Sequence, residues 1–288
     1  MDTTNSASNA GQILVGDFHI NRLGFGAMRI TGDGIWGEPE DRENAKQVLR
    51  HSIELNVNFI DTADAYGPEV SERLINEALY PYEGIIVATK GGLTRGGPGQ
   101  WTPDCSPKHL REACEASLAR LNVERIDVYQ LHTVDPNVPF EESVQTLLDL
   151  QKEGKIRHIG LSNIEPEHFH KALTMGSFVS VQNNYNILNR EHEDVLKLCE
   201  QNNIAFIPYF PMGGNDESGV AHAVLSEVAD KYSVSVRQIA LAWILGHSPV
   251  TLPIPGTASI AHLEQNVAAC SIKLSPEDMV KLEDLATV

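Results

Sequence analysis

Two periodicities alternate along the chain. Short unbroken apolar runs are each followed by a longer stretch whose apolar positions recur every three or four residues. The first pattern is that of strands buried on both faces, the second that of amphipathic helices. It predicts strands at Leu23–Gly26, Phe59–Asp61, Ile85–Thr89, Ile126–Leu131, Ile156–Leu161, Phe178–Gln182, Ile204–Tyr209 and Val250–Ile254. Helices are predicted at Asp41–Leu55, Glu69–Leu79, Pro139–Glu153, Glu165–Met175, Glu191–Asn202, Val220–Lys231, Val236–Leu245 and Ser259–Ala269. Another starts at Ser106-Pro107, a capping serine followed by a proline at the first helical position, and runs to Leu121. Ser275 caps a last helix.

Ahead of these units, Ile13 to Ile20 reads as a hairpin around Gly16-Asp17, suited to plug one end of a barrel. Strand–helix alternation at this length predicts an α/β fold, a (β/α)8 TIM barrel with an N-terminal β-hairpin and a C-terminal extra helix. A doubly wound sheet is the alternative. No linker or repeat divides the 288 residues, so one catalytic domain is expected over 1–288. Residues 1–11 are polar and lack an apolar core segment, so they read as a flexible tail and not a signal peptide. A Gly-rich loop carrying Trp101 is expected after the third strand.

Charge narrows the partners. A net charge of −17 repels nucleic acid and anionic membrane surfaces, so an anionic ligand needs local features to hold it. No apolar run is long enough to span a bilayer. The four cysteines are far apart without metal-binding spacing, which suggests a reduced, cytoplasmic setting and neither disulfides nor a metal site.

The candidate chemistry lies at strand ends. The second strand ends in Asp61 and is followed by Tyr66; the third is followed by Lys90, the fourth by His132. Each residue alone is an ordinary strand-end polar group. Four at matching positions point to a catalytic cluster, because active sites of barrels lie at the C-terminal strand ends and coupled neighbours shift one another's pKa. A cation beside a phenol favours the phenolate. The chain lacks a G-x-G-x-x-G fingerprint and a P-loop. Gly24 and Gly26 read instead as close packing at a strand end. The run Leu252 to Thr257 leads into a helix whose N-terminus offers free N–H groups to a phosphate.

These residues resemble a known family. Phe59-Ile60-Asp61-Thr62-Ala63-Asp64-Ala65-Tyr66-Gly67, Thr89-Lys90, Gln130-Leu131-His132, Gly160-Leu161-Ser162-Asn163, Gln182-Asn183-Asn184-Tyr185-Asn186 and Ile254-Pro255-Gly256-Thr257 look, in order, like the aldo-keto reductases. Arg22 to Met28, Ala78 to Tyr82 and Phe210 to Gly214 are most similar to bacterial members that include pyridoxal reductases.

The resemblance implies reduction of an aldehyde or ketone, a small-molecule carbonyl substrate, by hydride from an extended nicotinamide dinucleotide. Tyr66 is then the general acid, Lys90 lowers its pKa, Asp61 holds Lys90, and His132 orients the carbonyl. Ser162, Asn163 and Gln182 match residues that hold the carboxamide, and Tyr209 the aromatic that stacks on the ring. Ala27 and Met28 would lie beside the nicotinamide ribose, and Phe210, Pro211, Met212 and Gly213 beside the pyrophosphate. Ile254, Gly256, Thr257, His262, Gln265 and Asn266 match the adenosine end. Read without the resemblance, Ser162 and Asn163 are helix caps, Gln182 satisfies buried backbone, and Tyr209 is core.

Trp36 and Trp101, on loops after the first and third strands, are expected to line the substrate pocket. Arg29 reads as a solvated arginine. NADPH is expected as cofactor, with NADH weaker. The preference is muted because Gly256 and His262 stand where relatives often carry lysine and arginine, and a histidine is cationic only while protonated. A non-catalytic cofactor-sensing or partner-binding subunit, and an aldolase with Lys90 as Schiff-base lysine, are the competing functions. Oligomeric state is open.

Overall fold

The computed structural model describes residues 5–212 and 219–287. It opens with the predicted hairpin, β1 (Gln12–Val15) and β2 (Phe18–Asn21), turning at Gly16 with φ 65°. Only glycine enters that left-handed conformation without steric cost. Then come β3 (Phe25–Gly26), helix α1 (Arg42–Glu54), β4 (Phe59–Asp61), α2 (Val70–Leu79) and β5 (Ile86–Gly91). An antiparallel pair follows, β6 (Leu93–Gly97) and β7 (Gln100–Pro103). The alternation resumes with α3 (Pro107–Leu121), β8 (Ile126–Leu131), α4 (Phe140–Lys152), β9 (Ile156–Ser162), α5 (Pro166–Met175), β10 (Ser180–Asn184), α6 (Glu193–Asn202) and β11 (Ala205–Tyr209). Helices α7 (Gly219–Tyr232), α8 (Val236–His247), α9 (Ile260–Ala268) and α10 (Pro276–Glu283) complete the chain.

The parallel sheet runs β11-β10-β9-β8-β5-β4-β3. It closes through residues 250–254. The Phe206 amide donates to the Val250 carbonyl at 2.9 Å and Leu252 to the Phe206 carbonyl at 2.8 Å; on the other side Gly24 donates to Pro253 at 2.9 Å. The predicted TIM barrel is therefore the observed one. Its eighth strand is reduced to a single bridge, Phe206 to Thr251. Pro253 and Pro255 have no N–H to extend a ladder.

The barrel interior is apolar. Phe59, Ala88, Val128, Ala205, Ile207 and Leu252 pack together with Val15 and Ile20 of the hairpin, which thus plugs the end opposite the strand C-termini. Asp17 at the hairpin turn bonds Arg157 and His158 on β9. Outside, helices cover the strands with the faces their spacing predicts. In α3 these are Leu110, Ala113, Cys114, Ser117 and Leu121. Full burial of one such leucine is worth about 1.5–3 kcal/mol. The Ser106 hydroxyl accepts from the His109 amide at 3.3 Å, and Ser275 caps α10 likewise. Both caps satisfy amide donors that have no carbonyl within the helix.

Two local expectations are corrected. The loop after the third strand is the β6–β7 hairpin, built with so few apolar residues that no strand alternation shows. Part of the expected tail is docked: Ala7 is fully buried, its amide donates to the Leu55 carbonyl at 2.9 Å, and the Asn5 amide reaches Glu264 at 3.1 Å. No described helix is long and apolar enough to cross a membrane. All four cysteines are free and buried.

Candidate active site

The C-terminal ends of β4, β5 and β8 bring the strand-end residues together. Lys90, wholly buried on β5, points its ammonium at the end of β4. Its Nζ donates to Asp61 Oδ2 at 2.7 Å, to the Thr62 carbonyl at 2.8 Å and to the Tyr66 hydroxyl at 3.3 Å. Burial works against its charge, but Asp61 and Tyr66 outweigh that, and its pKa is raised. Lys90 stays cationic.

Asp61 is held on its other oxygen by residues from further round the barrel. Gln130 on β8 and Gln182 on β10 donate their amides to Oδ1 at 3.0 and 2.8 Å. A buried carboxylate with a cation and two amide donors is fully satisfied, which a core charge requires. Gln130 was not singled out as a site residue from sequence. Its contact depends on barrel curvature, which spacing along one strand does not reveal.

Burial raises the Tyr66 pKa, and the Lys90 charge pulls it back down. The net direction is upward, so the phenol keeps its proton near neutrality, as a general acid must. His132 stands edge-on to Tyr66 with ring centroids 5.8 Å apart. Burial, then the charge on Lys90, hold its pKa well below the usual imidazole value, so the ring is neutral. Its Nδ1 is buried without a partner among the described residues. The site thus combines a neutral phenol, a neutral imidazole and a fixed cation.

The phenol and the imidazole face a cavity of about 390 Å³. On its wall lie Asp61, Tyr66, His132 and Trp101, and of the residues matched to the cofactor Met28, Ser162, Asn163, Gln182, Tyr209, Phe210, Pro211, Met212, Ile254 and Gly256. Asn163 adopts φ 55°, turning its amide back to donate to the His132 carbonyl at 2.9 Å while its oxygen accepts from Tyr209 at 2.8 Å. Ser162 and Asn163 do not cap α5, whose N-cap is Glu165. Ala27 is fully buried and Gly213 lies outside the described residues. Trp36 is off the cavity wall, with the Arg95 guanidinium 5.6 Å over its ring.

A second, smaller cavity of about 50 Å³ adjoins the first and is lined by Thr257, His262, Gln265 and Asn266. Arg237, in the first turn of α8, and Gly256 line both cavities. Among the described residues Arg237 has no ion-pair or hydrogen-bond partner. Sequence reasoning missed it because an exposed helix arginine is ordinarily solvated; its place near a helix start after the seventh strand was the available signal. Arg29 also faces the larger cavity.

Gly26 and Gly256 cross closely. A Cβ on Gly256 would lie 2.3 Å from the Gly26 carbonyl oxygen, and one on Gly26 would lie 2.6 Å from that of Ile254. Backbone thus forms the floor of the cavity where β3 meets the eighth strand.

The aldo/keto reductase family model matches residues 22–287. The chain belongs to the aldo/keto reductase family. An uncharacterized oxidoreductase of Schizosaccharomyces pombe is 51% identical over 280 residues, 96% of this chain and 90% of that one. Pyridoxine 4-dehydrogenase of Escherichia coli is 39% identical, with 96% of this chain and 99% of that protein covered. An aldo/keto reductase of Klebsiella pneumoniae, solved with NADP and acetate, superposes with a TM-score of 0.80 at 28% identity, covering 95% of this chain and 94% of that one. This aldo/keto reductase therefore shares an oxidoreductase family's sequence over nearly its whole length, consistent with the polar cluster at the mouth of its barrel.

Proposed function

We propose that the chain is an NADPH-dependent reductase of aldehydes and ketones, with Tyr66 as general acid. The observation that carries this reading is the buried Lys90 ammonium, 2.7 Å from Asp61 and 3.3 Å from a Tyr66 that shares one cavity with a neutral His132. The Klebsiella relative was solved with NADP, which supports the choice of cofactor.

The residues present fit such a dinucleotide. Asn266 Nδ2 is buried without a partner among the described residues on the wall of the smaller cavity, a donor suited to meet an adenine. The backbone floor at Gly26 and Gly256 admits a close ligand, and Arg237 is a cation at the junction of the two cavities. Tyr209, Ser162 and Asn163 would hold the nicotinamide end; Phe210, Pro211, Met212 and Gly213 the pyrophosphate; Thr257, His262 and Gln265 the adenosine. When bound, the nicotinamide supplies a hydride to the carbonyl carbon.

The chain's own groups do the rest. His132 donates a hydrogen bond to the carbonyl oxygen and fixes its direction. Tyr66 passes its proton to that oxygen as negative charge develops. The phenolate left behind is stabilised by Lys90, whose charge Asp61, Gln130 and Gln182 keep in place. Alcohol oxidation runs the same steps backward.

For the substrate we propose pyridoxal, the aldehyde partner of the alcohol named in the Escherichia coli relative. Trp101, on the cavity wall, offers flat apolar surface for an aromatic ring. The test is NADPH consumption by purified enzyme against aldehydes and ketones with pyridoxal included. Consumption with other aldehydes and none with pyridoxal would remove the narrower assignment. None with any carbonyl would remove the broader one.

A further inference from the structure

The Arg95 guanidinium has five N–H donors, and each meets a backbone carbonyl. Nε donates to Gln100 at 3.0 Å, Nη1 to Ile35 and Ala65 at 2.9 Å each, and Nη2 to Gly34 at 3.1 Å and Gly97 at 3.4 Å. No carboxylate pairs with it among the described residues. Its plane instead lies 3.7 Å from the centre of the Trp101 ring, a cation–π contact. The five carbonyls belong to three separate segments: the loop after β3, the residue just before Tyr66, and the turn of the β6–β7 hairpin.

Trp101 is what this arrangement presents to the site. It lines the larger cavity and stands edge-on to both Tyr66 and His132, with ring centroids 6.3 and 6.4 Å away. Nothing in the hairpin's composition would hold it there. β6 and β7 are short, β6 ends in two glycines, and their register shifts between Arg95 and Gly97. A bulge of that kind re-aims a side chain. Here the shift falls at Arg95, whose side chain crosses to the Ala65 carbonyl.

We infer that Arg95 is a positioning residue that fixes Trp101 over Tyr66 and His132 and thereby sets the preference for flat, aromatic carbonyl substrates. This rests on the reductase reading and deepens it. Lysine cannot substitute: its ammonium has three donors on a flexible stem and no planar fork to meet five carbonyls.

The experiment is a double-mutant cycle on the full chain with Arg95→Lys, Trp101→Ala and the combination. The readouts are KM and kcat for one aromatic and one short aliphatic aldehyde, the NADPH dissociation constant, and hydrogen exchange of peptides covering 93–103. Trp101→Ala should raise the aromatic KM about tenfold relative to the aliphatic one. Arg95→Lys should reproduce most of that change, and the double variant should add nothing further. Exchange in 93–103 should accelerate in Arg95→Lys while that of β8 and the NADPH constant hold. Arg95→Gln, shorter, uncharged and with two donors, should change the ratio at least as much as Arg95→Lys.

An unchanged aromatic-to-aliphatic ratio in Arg95→Lys would overturn the inference, as would independent, multiplicative effects of the two substitutions. Loss of the cooperative thermal transition in both Arg95 variants would overturn it too, because a residue that ties rim segments leaves the barrel intact. Wild-type enzyme inert toward every carbonyl would instead defeat the reductase reading, an outcome distinct from all of these.

Discussion

The Lys90 ammonium lies 3.3 Å from the Tyr66 hydroxyl, and both residues are buried. The same lysine is anchored 2.7 Å from Asp61, so its distance to the phenol is fixed by the barrel and not by side-chain flexibility. The phenol proposed as proton donor and the cation beside it are therefore held by adjacent strands of the barrel.

Tyr66→Phe should abolish carbonyl reduction while NADPH affinity stays close to wild type. In the proposed reaction the phenol acts on the reacting oxygen alone, and general acid catalysis is worth about 10²–10⁴-fold in rate. Single-turnover rates with a good aldehyde, alongside a cofactor titration, check this. Wild-type single-turnover rates in the variant would remove Tyr66 from the role.

Lys90→Met should lose comparable activity and move the basic limb of the residual rate profile upward. The sign follows from the charges: Lys90 pulls the Tyr66 pKa down against burial, so removing it lets the pKa rise and the phenol holds its proton to higher pH. The pH dependence of residual reduction reads this directly. A basic limb at the wild-type position would show that Lys90 does not tune the phenol.

How much of this was legible in the chain depends on whether neighbours in space were neighbours along a strand. Asp61, Lys90 and His132 were readable because each closes an apolar run, and closed barrels gather strand ends. The Asp61–Gln130–Gln182 contact was not readable, since it joins β4, β8 and β10 across the barrel mouth. The eighth strand was placed correctly, yet its prolines reduce it to one bridge. Leu93 to Pro103 hid a hairpin because glycines and threonines replace the apolar alternation that marks strands. Arg237 hid as a solvated helix arginine, and only the two cavities meeting beside it give it a role.

Asp64 supplies a stability test. Its carboxyl is buried with Oδ1 unpartnered among the described residues, and burial, then the nearby Glu72 charge, push its pKa up to about 8. Glu72 is itself paired with Arg120 at 2.5 Å and accepts from Thr89 at 2.6 Å. In the unfolded chain an Asp ionises near about 3.9. Below that value both states hold the proton and the group has no effect. Between there and about 8 the unfolded state releases the proton while the folded state keeps it, so this group costs stability progressively as pH rises. Asp64→Asn removes that dependence. Denaturant titrations from pH 5 to about 7.5 should show the variant gaining on wild type as pH increases. A gap constant with pH would show that Asp64 is already ionised in the fold.

The last prediction separates the cations at the adenosine end. Arg237 and His262 line the same small cavity, with Arg237 also reaching the larger one. NADPH should bind more tightly than NADH, because the extra 2′-phosphate meets positive charge in a chain that is otherwise strongly acidic. A guanidinium is permanently charged, and its planar fork matches phosphate oxygens. Arg237→Ala should therefore weaken NADPH binding by about tenfold, the scale of one charge-assisted hydrogen bond, and leave NADH nearly unaffected if the contact is to the 2′-phosphate. An equal loss for both cofactors would place Arg237 on the pyrophosphate instead. His262→Ala should lower the preference by less, because Arg237 still carries most of it. Dissociation constants for both cofactors, measured by fluorescence titration in wild type and both variants, decide the matter. A preference untouched by His262→Ala would exclude His262 as a phosphate partner, and tighter binding of NADH than of NADPH by wild type would overturn the choice of cofactor itself.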